Sequence, residues 1–162
     1  MHPDEPAVRI GARVVLVDAE DRVLLIHARD PDAPDHHWWE LPGGGQDAGE
    51  TLQQTACREL AEETGLVIAD VAAHLWDRES RFHYRGRDHH RIDSVFLARV
   101  DTPLPAVTPK HSANERAGMV EWRWWTAAEL ATTTDKLLPA ELPDLVPAVL
   151  SGSVRKPLVL QG

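Results

Sequence analysis

Short apolar runs separated by charged turns predict a β-hairpin near the start of the chain. Residues 12–29, ARVVLVDAEDRVLLIHAR, have two arms rich in valine, leucine and isoleucine, with the polar turn DAED between them. Residues 31–39, PDAPDHHWW, contain two prolines and two aspartates and are predicted to form a loop. The following WELPGGG predicts a short extended piece and a glycine-rich turn.

A helix is predicted over residues 51–64, directly after the glycine-rich turn. Thr51 and Gln54 fit the capping-box pattern, in which two side chains satisfy exposed backbone donors. Apolar side chains recur every fourth residue and predict a narrow buried stripe: Leu52, Ala56 and Leu60. Gly65 stands where a left-handed C-terminal cap is expected.

Alternating patterns in the rest of the chain predict further strands, over residues 66–76, 81–85, 93–100 and 119–125. Thr126, with Glu129 three positions later, predicts the start of a short helix. The segment LPDLVPAVLSG has an apolar helical face, in which Pro147 should kink or shorten the helix. Strands and helices follow each other without strict alternation, which predicts a mixed sheet with helices on its faces.

The chain length of 162 residues suits one domain, with a core over about residues 8–152 and a C-terminal tail over 153–162. The apolar runs are too short to cross a bilayer, and the first eight residues lack the pattern of a signal peptide. A soluble, cytoplasmic protein is therefore expected. Cys57 is the single cysteine, so an intrachain disulfide is excluded.

The net charge of −9 opposes non-specific attraction to nucleic acid or to anionic membranes. Phosphate substrates remain possible, because a divalent cation reverses the local field. The charge is also uneven along the chain. Residues 40–70 are strongly acidic, whereas residues 78–91 hold five arginines and three histidines against two acids.

Three acidic residues lie on one side of the predicted helix. Glu59, Glu62 and Glu63 are spaced i, i+3, i+4, away from the apolar stripe. Their mutual repulsion and their position in the C-terminal half of the helix both destabilise it. A hard divalent cation would offset this cost, although acidic clusters on helices are more often solvated surfaces. Arg58 is expected to pair with Glu50, which would keep it from neutralising the acidic side.

The neighbouring residues resemble the Nudix box at every specified position. The match comprises nine residues within 23 positions: Gly44, Glu50, Arg58, Glu59, Leu60, Glu62, Glu63, Gly65 and Leu66. The preceding WELPGG is similar to the usual lead-in of that family. The resemblance implies a Nudix-type α/β/α sandwich, with a mixed β-sheet between helices.

The resemblance also implies a hydrolase that cleaves a pyrophosphate linkage in a nucleoside diphosphate derivative, with Mg²⁺ or Mn²⁺ as cofactor. The metal ligands carried over are Glu59, Glu62, Glu63 and the Gly44 carbonyl. Glu50 and Arg58 become the structural pair of the box. The alternative is a Nudix fold that senses a nucleotide-like ligand without catalysis. The loss of box glutamates would favour that alternative, and here all are present.

The general base is left open by the resemblance. Glu59 is the first choice. Glu115, in the segment KHSANERAG, is the main candidate outside the box, and Glu121 is the second. Either one is also readily explained as an exposed acid.

Substrate recognition is expected from the basic segment and from the tryptophans near the glycine turn. Arg81 and Arg85 suit phosphate, and Phe82 suits stacking on a base. Of Trp38 and Trp39, one is expected to border the pocket, and Trp39 is selected. The expected partner is a small-molecule nucleotide, with no nucleic acid and no membrane, and the protein is expected to be a monomer or a homodimer.

Overall fold

The computed structural model describes residues 6–84, 86–101 and 119–162. In this part of the chain the strands are β1 (Val8–Val17), β2 (Val23–Asp30), β3 (Ala33–Glu40), β4 (Gly43–Gly45), β5 (His74–Tyr84), β6 (Arg87–Arg99), β7 (Met119–Trp125), β8 (Leu137–Leu138) and β9 (Leu158–Gln161). The helices are α1 (Leu52–Thr64), α2 (Ala127–Thr132) and α3 (Leu142–Leu150). Within these residues no helix is both long enough and apolar enough to cross a membrane.

The strands form one mixed sheet in the order β8-β3-β2-β1-β6-β5-β9. Strand β4 pairs with β1, and β7 pairs with β2. Strands β1 and β6 run parallel over ten residue pairs, from Val8–His90 to Val17–Arg99, whereas β5 and β6 are antiparallel. The predicted mixed sheet is therefore confirmed.

The sheet carries helices on both faces, because the central strands are apolar on both sides. Along β1, Val15 and Val17 pack into a cluster with α2 and α3, whereas Val14 and Leu16 pack into a second cluster with α1. Residues that alternate along a strand point to opposite faces. The result is the predicted α/β/α sandwich.

Helix α1 has the predicted ends. The Thr51 side chain accepts a hydrogen bond from the Gln54 backbone, and the Gln54 side chain accepts one from the Thr51 backbone. Gly65 closes the helix at φ 78°, a left-handed conformation that glycine adopts without strain. Ala56 and Leu60 are fully buried against the sheet. Local chemistry and tertiary packing thus agree over this segment.

The loop predicted over residues 31–39 is wrong, because most of it forms strand β3. The register between β2 and β3 shifts at Arg29–Asp30, next to the prolines, and is regular from His37 to Glu40. Pro31 precedes β3, and Pro34 lies near its start. The outer side of β3 pairs only with the two residues of β8, at Trp39 and Glu40, so a missing N–H at Pro34 costs little.

The strand predicted over residues 66–76 begins only at His74. Leu66 is buried against α1, and Ile68 and Val71 pack on the same cluster from an irregular connection. The segment is apolar because it covers the sheet, and its apolar pattern resembles that of a strand. Residues 153–162, predicted to be a tail, contain β9, which pairs in parallel with β5.

Candidate metal and phosphate site

The glycine-rich turn lies against strand β1 so closely that side chains are excluded. Residues Gly43–Gly45 pair with Arg13, Ala12 and Gly11. Gly43 has φ 153°, and a Cβ there would collide with the Ala12 carbonyl oxygen. A Cβ on Gly44 would lie 2.5 Å from the Glu59 carboxyl carbon. Gly43 therefore lets the turn lie against β1, and Gly44 leaves room for the Glu59 carboxylate of the helix.

Glu59 and Glu63 lie one helical turn apart on α1, beside this turn. The Glu63 Oε1 atom accepts a hydrogen bond of 2.8 Å from the Gly43 N–H. The Glu59 side chain is 18% exposed and lies beside Gly44. Both residues line the same cavity as Gly44.

Both carboxylates are destabilised in their charged form. Burial raises the pKa of Glu63 to about 8, and the charges of Glu59 and Glu40 act in the same direction, against Arg13 and the Gly43 N–H. Burial also raises the pKa of Glu59, with Arg58 opposing the shift. Two crowded, poorly solvated carboxylates beside a backbone turn are the oxygen donors that a hard divalent cation prefers.

Arg58 connects the loop to the helix. Its Nε donates to Glu50 Oε2 at 2.7 Å, and its second terminal nitrogen donates to Glu50 Oε1 and to the Gly45 carbonyl, both at 2.9 Å. These hydrogen bonds lower the pKa of Glu50 to about 2. Arg58 also donates to Glu59 at 3.0 Å and to Glu62 at 3.3 Å. The expectation that Arg58 would leave the acidic side unneutralised is therefore wrong. Its guanidinium group binds Glu50 and also donates to Glu59 and Glu62.

Glu62 differs from the other two glutamates of the helix. Its side chain is 58% exposed, contacts Arg58 and does not line the cavity. In the described part of the chain, no three histidine, cysteine, aspartate or glutamate side chains are gathered as a metal cluster. The oxygen donors at the cavity are thus Glu59 and Glu63 with the glycine turn, and Glu62 as a metal ligand stays a prediction.

The cavity beside these carboxylates, which we call the main cavity, has a volume of about 490 Å³. Its lining contains six cationic side chains: Arg9, Arg13, Arg78, Arg81, Arg91 and Lys136. Three carboxylates line it as well: Glu40, Glu59 and Glu63. A cavity of this volume suits a phosphate chain bound together with a cation, because its carboxylates suit the cation and its arginines suit the phosphates.

The structure separates the predicted substrate residues. Arg81 and Phe82 line the main cavity, whereas Trp39 does not. Trp39 is 3% exposed and its Nε1 donates to Asp135, so its selection for the pocket is corrected to Trp38. Trp38 and Trp39 point to opposite faces of β3 because neighbouring strand residues alternate. The Trp38 face borders the main cavity, and the Trp39 face packs in the core. Arg85 and Glu115 lie outside the described residues.

Phe82 is already engaged by neighbouring side chains. Its ring stacks on His89, with centroids 5.2 Å apart, and the Arg91 guanidinium lies 5.1 Å from its centroid. Phe82 therefore contributes a supporting wall of the cavity.

Glu121, the second candidate outside the box for the general base, does not line the cavity. Its side chain is 59% exposed and lies 3.5 Å from His27.

Six charged residues of the cavity are not among those predicted from the sequence: Arg9, Arg13, Glu40, Arg78, Arg91 and Lys136. Arg13 lies in the apolar arm of the first hairpin, ARVVLV. A single charged residue in such an arm indicates a buried charge with polar partners, and so a candidate site residue. Arg13 is 9% exposed and donates to the Leu41 carbonyl at 2.6 Å. A charge in a buried strand requires polar partners, which Asp93 and Glu40 supply.

Comparison with known proteins identifies the family. A model of the NUDIX domain matches residues 7–147. The RNA pyrophosphohydrolase of Novosphingobium aromaticivorans is 32% identical over 147 residues, covering 82% of this chain and 79% of that protein. The MutT protein of Methanosarcina mazei Go1 shares the fold with a TM-score of 0.66 at 19% identity, over 94% of this chain and 99% of that one. The NUDIX domain of Shewanella oneidensis NrtR, complexed with ADP ribose, has a TM-score of 0.64 at 21% identity, over 93% and 94% of the two chains. The chain therefore belongs to the NUDIX family and is a hydrolase of pyrophosphate bonds in nucleotide derivatives.

Proposed function

We propose that the protein hydrolyses a small-molecule nucleotide with the help of Mg²⁺ or Mn²⁺, by attack of water on phosphorus. Glu59, Glu63 and the Gly44 carbonyl would hold the cation. Glu59 accepts a proton from the attacking water, and Arg58 with Glu50 holds the helix against the glycine turn.

One observation carries this proposal: Glu59 and Glu63 stand side by side at the wall of a cavity whose other walls are rich in arginine. Burial raises the pKa of both carboxyl groups, and the charge of Glu59 raises the pKa of Glu63 further. Glu59 and Glu63 would hold a divalent cation that offsets this cost and lets an anionic substrate approach the carboxylates.

The charges of the side chains assign them different roles in binding and catalysis. A bound cation supplies Lewis-acid stabilisation of phosphoryl oxygens and lowers the pKa of water. The arginines of the cavity bind the phosphate oxygens through their planar forks. Glu59 is placed to move a proton because its carboxylate faces the cavity beside Gly44. Trp38 and Tyr84, whose ring centroids are 5.9 Å apart, form an aromatic wall for the nucleoside.

The substrate is proposed to be a free nucleotide, and the RNA pyrophosphohydrolase relative makes RNA the competing class. The net charge of −9 disfavours a long phosphate backbone outside the cavity. A free nucleotide needs only the charges that line the cavity itself.

The experiment is a substrate panel with Mg²⁺ or Mn²⁺, with EDTA as the metal-free control. ATP, GTP, 8-oxo-dGTP, ADP-ribose, diadenosine tetraphosphate and a 5′-triphosphorylated RNA are incubated with the protein, and both products of each reaction are identified. Metal-dependent cleavage of a pyrophosphate bond in a free nucleotide supports the proposal. Turnover of the RNA alone would overturn the substrate class, and binding without any turnover would overturn catalysis. Light scattering on the same preparation distinguishes a monomer from a homodimer.

A further inference from the structure

A cluster of three arginines lies at one end of the main cavity, where Arg13 is buried and Arg78 and Arg91 are partly buried. Arg78 on β5 and Arg91 on β6 line the cavity, next to Arg13 on β1. Asp93 is 2% exposed and is the cross-strand partner of Arg78. The sheet therefore holds these side chains together on three adjacent strands.

Asp93 is shared among more cations than it can satisfy. Its Oδ2 accepts a hydrogen bond of 3.3 Å from the Nε of Arg13. The Nε of Arg91 lies 2.8 Å from the same oxygen, in a geometry that forms no hydrogen bond. The buried Nε of Arg78 has no hydrogen-bond partner among the described residues. Arg13 is thus held by Asp93 and Glu40, whereas the Nε atoms of Arg78 and Arg91 lack a hydrogen-bond acceptor among the described residues.

The ionisation of the two arginines agrees with this imbalance. Burial lowers the pKa of Arg78 and of Arg91, and nearby Arg13 lowers both further. Glu141 raises the pKa of Arg78, and Asp93 and Glu40 raise the pKa of both arginines, but these charges do not reverse the shift. An additional anion in contact with both guanidinium groups would relieve it.

The space beyond the arginines is small. A second recess of about 20 Å³ lies behind them, and five residues line both spaces: Arg13, Glu40, Arg78, Arg91 and Leu138. The recess is closed by core residues, among them Trp76 at 0% and Val95 at 2% exposure. It has room for about one water molecule, and a sugar or a nucleoside is far larger.

We propose that Arg78 and Arg91 form a subsite for a terminal phosphate group, so that the site selects nucleotides whose phosphate chain ends freely over conjugates capped by a sugar or a second nucleoside. This inference rests on the proposed function, since it names the substrate class of the same cavity. A terminal phosphate carries a charge of about −1.5 to −2 at pH 7 and three acceptor oxygens, as a phosphomonoester does. A capped chain offers only singly charged phosphodiester-type groups and needs the space that the core occupies.

ATP and ADP-ribose test the subsite as a matched pair, because both contain ADP and differ in the group attached to it. Their dissociation constants are measured by calorimetry with the protein in EDTA, where turnover is absent. We expect ATP to bind about tenfold or more tightly than ADP-ribose, the amount that one or two charge-assisted hydrogen bonds supply. Arg78→Met should remove this preference, and Arg78→Lys should retain part of it.

Arg99→Met is the matched control, since Arg99 also lies on a strand of this region but is exposed and does not line the cavity. It should keep the full preference for ATP. Circular dichroism and thermal melts establish that each variant is folded, and Arg91→Lys replaces any variant that is not. Equal affinities for ATP and ADP-ribose in the unmodified protein, or an unchanged ratio in Arg78→Met, would overturn the subsite.

The same ligands with Mg²⁺ separate this inference from the proposed function. If the protein hydrolyses neither compound but retains an Arg78-dependent preference for ATP, the subsite stands and catalysis fails. If both are hydrolysed with equal kcat/KM, and Arg78→Met lowers both values equally, the subsite is wrong while catalysis stands. Selective loss of kcat/KM for ATP, expressed mainly as a higher KM, supports both.

Discussion

A methyl group added to the Cα of Gly44 would lie 2.5 Å from the Glu59 carboxyl carbon and within 2.7 Å of both carboxylate oxygens. The absence of a side chain at Gly44 is therefore what allows Glu59 to occupy its position. The contact joins a loop residue to a helix residue and so connects the two halves of the proposed metal site.

Gly44→Ala should displace the Glu59 side chain and lower kcat by roughly 100-fold, because small misplacements of reacting groups are costly. The free energy of unfolding should change by less than about 1 kcal/mol, since the displaced group is the end of a flexible side chain. Gly45→Ala is the control, because the nearest atom to its Cβ is the flexible end of Arg9 at 3.2 Å. Similar kcat losses in both variants would show that the loop tolerates no side chain at all and that Glu59 is not the cause.

Glu59→Gln and Glu63→Gln should each lower kcat by about 100-fold or more, because each removes a charged ligand or base from the cavity. Glu62→Gln should lose much less activity, since Glu62 does not line the cavity. Steady-state kinetics with Mg²⁺ over a range of concentrations checks the order. Glu20→Gln, an exposed change in the β1–β2 turn, should have no effect. A loss in Glu62→Gln as large as that in Glu59→Gln would contradict the geometry described here.

Glu63 should make the metal-free protein less stable as the pH rises. Its pKa in the folded state is about 8, against 4.5 when unfolded, so the folded state retains a proton that the unfolded state loses. Its contribution to stability is present in full below pH 4.5 and is lost as the pH approaches 8. In EDTA, the Tm of the unmodified protein should fall relative to that of Glu63→Gln between these values. Parallel Tm curves for the two proteins would refute the shift.

Arg58→Met should lower the Tm, because it removes hydrogen bonds to Glu50, Glu59 and the Gly45 carbonyl at once. A protein of this size loses roughly 2–4 °C for each kcal/mol. Glu50→Gln should lower it less, and the double variant should be little worse than Arg58→Met alone, since both changes remove one shared contact. The Glu50 pKa of about 2 adds a pH signature: the stability that Glu50 contributes is present above pH 4.5 and is lost below it, as the pH falls towards 2. Additive losses in the double variant would rule out the pair as the source of the effect.

Local rules predicted the parts of the fold in which neighbouring residues decide the structure. The hairpin arms and α1 with both its caps are confirmed, because alternation and capping depend on residues close in sequence. Local turn signals predict a loop where β3 forms, since the pairing of β3 with β2 depends on a partner strand that outweighs those signals. The apolar pattern before β5 predicts a strand that does not form, because its apolar residues pack on the core cluster and do not pair in the sheet.

The sequence by itself determined the family of the chain and its acidic helix. The nine motif residues lie within 23 positions, so their spacing can be recognised without a structure. Only the tertiary structure decided which arginine side chains share the main cavity with Glu59 and Glu63. Arg13, Arg78 and Arg91 lie on three strands that are distant in sequence and adjacent in the sheet. It likewise decided that Trp38 borders the cavity and Trp39 the core. The physical reason is that side-chain alternation along a strand is local, whereas the face that meets the cavity depends on which strands and helices pack beside it.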